Sequence, residues 1–314
     1  MSATKPFIGI TLGDYNGIGP EVILKALGSQ RILKWCTPVI YGSKKVLDFT
    51  RKQLELPEWS IKEIKDLGEA GSDQSYVITC WDDTNTLVEP GKVTPEAGKA
   101  AFACLDRAAK DLDSGVLSAI VTAPINKHNI QSEDFKFPGH TEYLTERFEA
   151  KSSLMMLVSD ELRVGVATGH LPLLEVSKAL SKELIREKIT TFLQSLREDF
   201  AIDKPKLAVL GLNPHAGEAG LLGQEELEII QPVIDEFRGK GNLVFGPYPA
   251  DGFFGKSQFK EFDGVLGMYH DQGLIPFKYI AFETGVNFTA GLPIIRTSPD
   301  HGTAYDIAGK NEAD

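Results

Sequence analysis

The sequence predicts an α/β protein built on a mostly parallel sheet, and three observations carry that expectation. Short apolar or β-branched runs alternate with amphipathic helical stretches along the whole chain, without internal repeats or low-complexity tracts. The 314 residues are enough for two domains. Three of the runs, LRVGVATGH, KLAVLGLNPH and GVLGMYH, end on a histidine, at His170, His215 and His270. Runs apolar on successive residues read as strands covered on both faces, as parallel sheets require.

Composition sets the class. With 42% hydrophobic and 25% charged residues the chain reads as a soluble globular protein. No apolar run approaches the ~20 residues of a membrane span, and MSATKPFIG lacks a signal peptide's apolar centre. A cytoplasmic protein with no membrane partner is therefore expected. A net charge of −11 with no basic stripe argues against nucleic acid as partner. Cys36, Cys80 and Cys104 are widely spaced and form no C-x-x-C pair, so they read as reduced core residues.

Taken in order, Phe7 to Leu12 is a strand, and GDYNGIGPEVILKAL is a glycine-rich turn entering a helix. Pro20 suits the first turn, Glu21 its positive end, and Val22, Ile23, Ala26 and Leu27 form an apolar face. GIGPE falls short of G-x-G-x-x-G because Val22 stands where the third glycine belongs, which leaves weak phosphate-binding promise. Thr37 to Tyr41 and Tyr76 to Cys80 read as strands and Ser43 to Gln53 as a helix. Residues 54–75 are charged and turn-rich. Thr94 caps a helix carrying Ala97, Ala101, Cys104, Leu105, Ala108 and Leu112 on one side, and its alanines suggest close packing between domains or subunits.

Leu117 to Thr122 is a further strand. Thr141 is expected to cap a helix from Glu142, which would set His140 and Thr141 at a positive helix end, an anion seat with Lys127 near it. An ordinary capped helix with an exposed histidine fits that pattern equally well. Leu184, Ile185, Ile189, Phe192, Leu193 and Leu196 mark a long amphipathic helix, and Glu225 to Phe237 another that Pro232 kinks. Glu218 reads as a surface charge. Leu243 to Phe245 is a strand, and Asp251 lies in a turn whose loop could reach the region of His270. Arg296 has the fork geometry that grips carboxylate or phosphate.

If the histidine-ending strands are parallel neighbours, their imidazoles converge on one edge of the sheet, where open α/β proteins form binding crevices. A lone histidine is more often structural. Three such imidazoles suit a divalent ion with coordination positions left open, and they favour a zinc-like ion over magnesium, cobalt or manganese without excluding these.

GDYNGIGPEV and HGTAYDIAGK resemble signatures of the isocitrate and isopropylmalate dehydrogenases, whose metal-binding carboxylates are absent here. The fuller set, PGHTEYL, ATGHLPL, NPHAGE, YHDQGLIPFK and GVNFTAGLPIIRTSPDHGTAYDIAGK, is similar to the 4-hydroxythreonine-4-phosphate dehydrogenase family of pyridoxal phosphate biosynthesis, over nearly the whole chain. That resemblance implies two α/β/α domains, residues 1–125 with 285–314 and residues 126–284, and an active site in the cleft between them. It implies that His170, His215 and His270 bind the metal, and that His140, Thr141, Lys278, Asn287 and Arg296 bind substrate. His301, Gly302, Thr303, Ala304 and Asp306 would serve NAD or NADP, and the protein would be a homodimer with a site shared between subunits. Tyr15 replaces a proline common in the family, and the chain stops at Asp314 where relatives continue into a last helix, so a shortened C-terminus is expected.

The implied reaction is metal-dependent oxidation of a phosphorylated hydroxy-amino acid by NAD(P), followed by decarboxylation, with Lys278 or Asp251 moving the proton. Erythronate or threonate 4-phosphate is the alternative substrate. A phosphate acyltransferase has no need of three histidines, and a non-catalytic phosphate-binding protein has no need of a cofactor segment.

Overall fold

The computed structural model describes residues 5–314. The first part of the chain forms β1 (Phe7–Thr11), α1 (Gly19–Gly28), β2 (Thr37–Gly42), α2 (Lys44–Gln53), β3 (Ile61–Ile64), β4 (Ser75–Thr79), α3 (Pro95–Asp113), β5 (Ala119–Thr122) and α4 (His140–Arg147). There follow β6 (Leu154–Val158), β7 (Arg163–Val166), α5 (Leu173–Ala179), α6 (Lys182–Glu198), β8 (Lys206–Leu210), α7 (Gln231–Gly239) and β9 (Leu243–Tyr248). The chain continues with α8 (Ala250–Gly255), β10 (Gly264–Gly267), α9 (His270–Ala281), β11 (Val286–Ala290) and β12 (Ile295–Pro299).

Two compact units result, one comprising the chain up to Glu149 with Ile294–Asp314, the other Ala150–Pro293. Both boundaries fall later than the resemblance implies, for local reasons. Tyr143 of α4 packs in an aromatic cluster with Phe102, Phe135 and Phe137, which ties residues 126–149 to the first unit. β11 pairs antiparallel with β6, which keeps residues 286–290 in the second.

The first unit holds a parallel sheet ordered β3-β4-β2-β1-β5-β12. Thr94 caps α3 as expected, its Oγ1 accepting from the Ala97 N–H at 3.3 Å. The alanines of that helix are covered by its own sheet: Ala97, Ala100, Ala101, Ala108 and Ala109 are at most 4% exposed, and α3 lies against β1 and β2. In α1 the buried face is Ile23, Leu24 and Leu27, while Ala26 is exposed and Glu21 is buried. The Glu21 carboxylate accepts from the Ala313 N–H at 3.0 Å and pairs with Lys25 at 2.9 Å, which anchors the end of the chain.

In the second unit the order is β11-β6-β7-β10-β8-β9, antiparallel from β11 to β7 and parallel from there on. Ile185, Ile189, Phe192, Leu193 and Leu196 of α6 pack with Leu207, Val209, Leu266 and Met268 on one side. Leu274 and Phe277 of α9 cover Val164, Val166, Ala208 and Val265 on the other. Each such side chain, fully buried, contributes about 1.5–3 kcal/mol. The helix expected from Glu225 opens as a π-turn over Glu226–Ile230 and continues without a break into α7, with Pro232 directly after that wider turn. No helix among the described residues is long and apolar enough to cross a membrane.

Candidate active site

Strands β7, β10 and β8 are adjacent and parallel, so His170, His270 and His215 all follow the C-terminal ends of neighbouring strands. The rings of His170 and His270 stand 5.5 Å apart, centroid to centroid, at 42°. That is close to the ~5 Å that two imidazoles adopt when each bonds one ion at ~2.0–2.1 Å in tetrahedral geometry. Their approach depends on Gly273: a Cβ there would lie 2.8 Å from Val164 Cγ1 and 3.0 Å from Val166 Cγ1, so glycine lets α9 settle onto β7. A cavity of about 330 Å³ lies here, lined by Gly169, His170, Val176, Tyr269, His270 and Asp271 among others. Asp271 Oδ1 is 2.7 Å from His270 Nδ1, a carboxylate–imidazole contact of the kind that orients a metal-binding histidine ring.

His215 is exposed on the same sheet edge, in a turn where residues 215–219 all have positive φ, from 44° to 79°. Among the described residues no three His, Cys, Asp or Glu side chains stand close enough to hold an ion. The donor chemistry and the strand ends fit a metal, with two of the three imidazoles brought together. Asp251 is exposed in the first turn of α8 and Lys278 is half-buried in α9; neither lines the histidine cavity. Asn287 lies on β11 with its Oδ1 buried and without a hydrogen-bond partner.

In the first unit, α4 begins at His140, with Gly139 in the cap position and no side chain capping it. Thr141 thus sits inside the first turn instead of capping, and free N–H groups remain at the positive helix end. His140 Nε2 is enclosed without a hydrogen-bond partner. Burial, then the charges of Arg296 and Lys127, push this imidazole well below its ordinary 6.5, so the ring is neutral. Arg296 is 4% exposed, and its Nε and Nη2 donate to Thr122 Oγ1 at 3.0 and 2.6 Å. Burial lowers its pKa to about 10, which leaves it cationic at neutral pH. A neutral imidazole and buried cation beside an uncapped helix start suit an oxyanion.

The segment His301, Gly302, Thr303, Ala304, Tyr305, Asp306 docks on the N-terminal turn. Ile18 N–H donates to the Thr303 carbonyl at 2.9 Å, and a Cβ on Gly17 would stand 2.7 Å from that oxygen. Tyr305 donates to Asp14 Oδ2 at 2.8 Å, and Asn129 Nδ2 reaches the same oxygen at 2.7 Å. His301, Gly302 and Asp306 remain exposed, available to a ligand. Asp14, Asn129, Thr122 and Asp271 escaped sequence reading; only Asp271, directly beside a histidine, carried a local signal.

A family model described as pyridoxal phosphate biosynthetic protein PdxA matches residues 34–314. A 4-hydroxythreonine-4-phosphate dehydrogenase of Bacteroides thetaiotaomicron is 52% identical, covering 100% of this chain and 86% of that protein. A D-threonate 4-phosphate dehydrogenase of Cupriavidus necator is 42% identical, covering 100% and 94%. The crystal structure of 4-hydroxythreonine-4-phosphate dehydrogenase from Klebsiella pneumoniae superposes with a TM-score of 0.89 at 37% identity, covering 100% and 95%. Fold and relatives together define an α/β oxidoreductase. The chain belongs to the pyridoxal phosphate biosynthetic PdxA family.

Proposed function

We propose that the protein is a metal-dependent, NAD(P)-linked dehydrogenase that oxidises 4-phosphohydroxy-L-threonine to 2-amino-3-oxo-4-phosphooxybutanoate. Loss of carbon dioxide then gives 3-amino-2-oxopropyl phosphate on the route to pyridoxal 5'-phosphate. The observation that carries this reading is the 52% identity, over the entire chain, to a relative named for that activity. In this reading His170, His215 and His270 hold zinc, magnesium, cobalt or manganese, and the 5.5 Å pairing of two of the rings supports it. His140, Thr141, Lys278, Asn287 and Arg296 bind the substrate, and the enclosed, partnerless atoms of His140 and Asn287 support that set. His301, Gly302, Thr303, Ala304 and Asp306 serve NAD or NADP.

A bound divalent ion supplies Lewis-acid stabilisation of charge on substrate oxygen, and the nicotinamide supplies the hydride acceptor. The chain's own part is positional. Arg296, held by Thr122, meets an anionic group with a fixed fork; neutral His140 donates a hydrogen bond without adding charge; Lys278 or Asp251 moves the proton. The protein acts as a cytoplasmic homodimer whose subunits share the site. Ile275, Tyr279 and Phe282, exposed along α9, support a covered apolar face there.

D-threonate 4-phosphate is the second candidate substrate, favoured by the 42% identical Cupriavidus relative. Purified protein assayed with each substrate, each nicotinamide and added metals decides between them. Turnover of 4-phosphohydroxythreonine with the higher kcat/KM is expected. Preference for threonate 4-phosphate would transfer the assignment, and indifference to chelation would remove the metal from it.

A further inference from the structure

The oxyanion seat at the start of α4 has a charge balance that its buried members do not settle. His140 is neutral, and Arg296 supplies one positive charge. Glu142 opposes it. A Cβ built on the cap residue Gly139 would lie 3.4 Å from Glu142 Oε2, so this carboxylate stands over the helix start, and Arg296 feels its charge. Arg296 and Glu142 therefore cancel, which leaves only the helix end, equivalent to roughly +0.5 charge, to hold an incoming anion. A phosphate monoester brings about −1.5 to −2 at neutral pH.

Lys127 restores the excess. The same Gly139 Cβ would lie 3.8 Å from Lys127 Cε, which sets the end of this side chain beside the cap. Lys127 is also the second cation acting on the His140 ring, after Arg296. Its backbone is fixed on both sides. Asn126 Oδ1 accepts from the His128 and Asn129 N–H groups at 2.9 and 3.1 Å, which closes the turn around it. Gln131 Nε2 donates to the Lys127 carbonyl at 3.1 Å and to the Phe137 carbonyl at 2.8 Å, so one amide ties Lys127 to the run that enters Gly139. The side chain itself is exposed, and among the described residues its ammonium has no hydrogen-bond or ion-pair partner. Lys127, His140, Glu142 and Arg296 all belong to the first unit.

We propose that Lys127 is a further substrate-binding residue, the cation that makes this seat positive enough to take the phosphate group of the substrate. This rests on the reading of His140 and Arg296 as substrate ligands, and it holds for either candidate substrate, since both carry a phosphate. Inorganic phosphate is the probe. Full-length wild type, Lys127→Met and Lys127→Arg are melted in rising phosphate against chloride of equal ionic strength, and the rise in Tm gives the phosphate affinity. Steady-state kcat and KM are measured on the same proteins for the phosphorylated substrate and for the nicotinamide. Arg296→Lys is the control for the seat.

Met keeps the stem of Lys127 and removes its charge. Lys127→Met weakens phosphate binding and raises substrate KM about 10-fold each, the low end for a charged hydrogen bond because the side chain is exposed. kcat and nicotinamide KM stay as in wild type, and Lys127→Arg recovers most of the affinity. Wild-type phosphate affinity in Lys127→Met, with a loss in Arg296→Lys, would overturn the role of Lys127 while the seat stands. Equal losses in the Met and Arg variants, or a fall in kcat with KM unmoved, would overturn it as well. A wild type that phosphate stabilises no more than chloride does, or an Arg296→Lys protein that binds phosphate undiminished, would instead remove the seat and Lys127 with it.

Discussion

The Tyr305 hydroxyl donates to the Asp14 carboxylate at 2.8 Å, across 291 positions of sequence, and so fastens the HGTAYD segment to the N-terminal turn. Asp14 is fully buried, and burial together with this carboxylate pushes the Tyr305 hydroxyl pKa up. Tyr305→Phe removes one of its partners without changing ring volume. The expected cost is about 1–3 kcal/mol, hence a drop of a few degrees in Tm. Because the segment is proposed to serve NAD or NADP, KM for the nicotinamide should rise while KM for the phosphorylated substrate stays. Equal effects on both would show that the contact only holds the fold.

Arg296 offers a separate test. It is buried, forked onto Thr122 Oγ1 and still cationic. Arg296→Lys keeps the charge but not the planar fork, so one ammonium cannot satisfy both Thr122 and an incoming anion in the same geometry. Losing a charge-assisted hydrogen bond costs about 1.5–3 kcal/mol, which is roughly a 10–100-fold rise in substrate KM. Steady-state kinetics at fixed saturating cofactor reads this, and an unchanged KM would remove Arg296 from the substrate set.

His140 makes stability depend on pH in a defined direction. The folded imidazole is held well below 6.5 by burial, so it stays neutral while the unfolded chain takes up a proton below about pH 6.5. The unfolded state then binds more protons, and stability falls as pH drops below that value, by at most about 1.4 kcal/mol per pH unit for one group. Above it the contribution is fully present. His140→Asn should flatten this acid limb relative to wild type in denaturant unfolding at pH 7.5 and 5.5. Parallel limbs in the two proteins would mean that the ring is protonated in the fold.

The strand-then-histidine pattern was legible because β7, β8 and β10 are covered on both faces and, after Arg163 and Lys206 at the starts of the first two, are apolar at every position. Strands β3, β6, β11 and β12 carry weaker patterns. IKEI is a sheet-edge strand, LMMLV lacks β-branched residues apart from its last, and the two late strands bury Thr289, Arg296 and Ser298 where a strand reader expects apolar side chains. The cap of α4 was assigned to Thr141 by residue type, yet the extended backbone of Gly139 takes the position. The left-handed turn at His215 had no signal beyond its glycines, since Ala216, Glu218 and Ala219 rarely adopt positive φ. The Asp14 and Tyr305 contact depends on two turns meeting, which no local window contains.

Gly273→Ala sets two opposed magnitudes against each other. Alanine gains about 1 kcal/mol of helix propensity over glycine. Its Cβ would stand 2.8 Å from Val164 Cγ1 and 3.0 Å from Val166 Cγ1, and overpacking of that kind costs about 1–3 kcal/mol. Both neighbours are β-branched and buried, so neither methyl swings away and α9 must lift off β7. Net stability therefore falls by up to about 2 kcal/mol. The larger effect should be on metal affinity, because the lift carries His270 away from His170. Adding Val164→Ala removes the nearer methyl and should restore affinity more fully than Tm, since it opens a cavity while letting α9 reseat. Metal competition and thermal melting on the single and double variants separate the two effects, and a Gly273→Ala protein that keeps wild-type affinity would show that the histidine pair does not depend on this close approach.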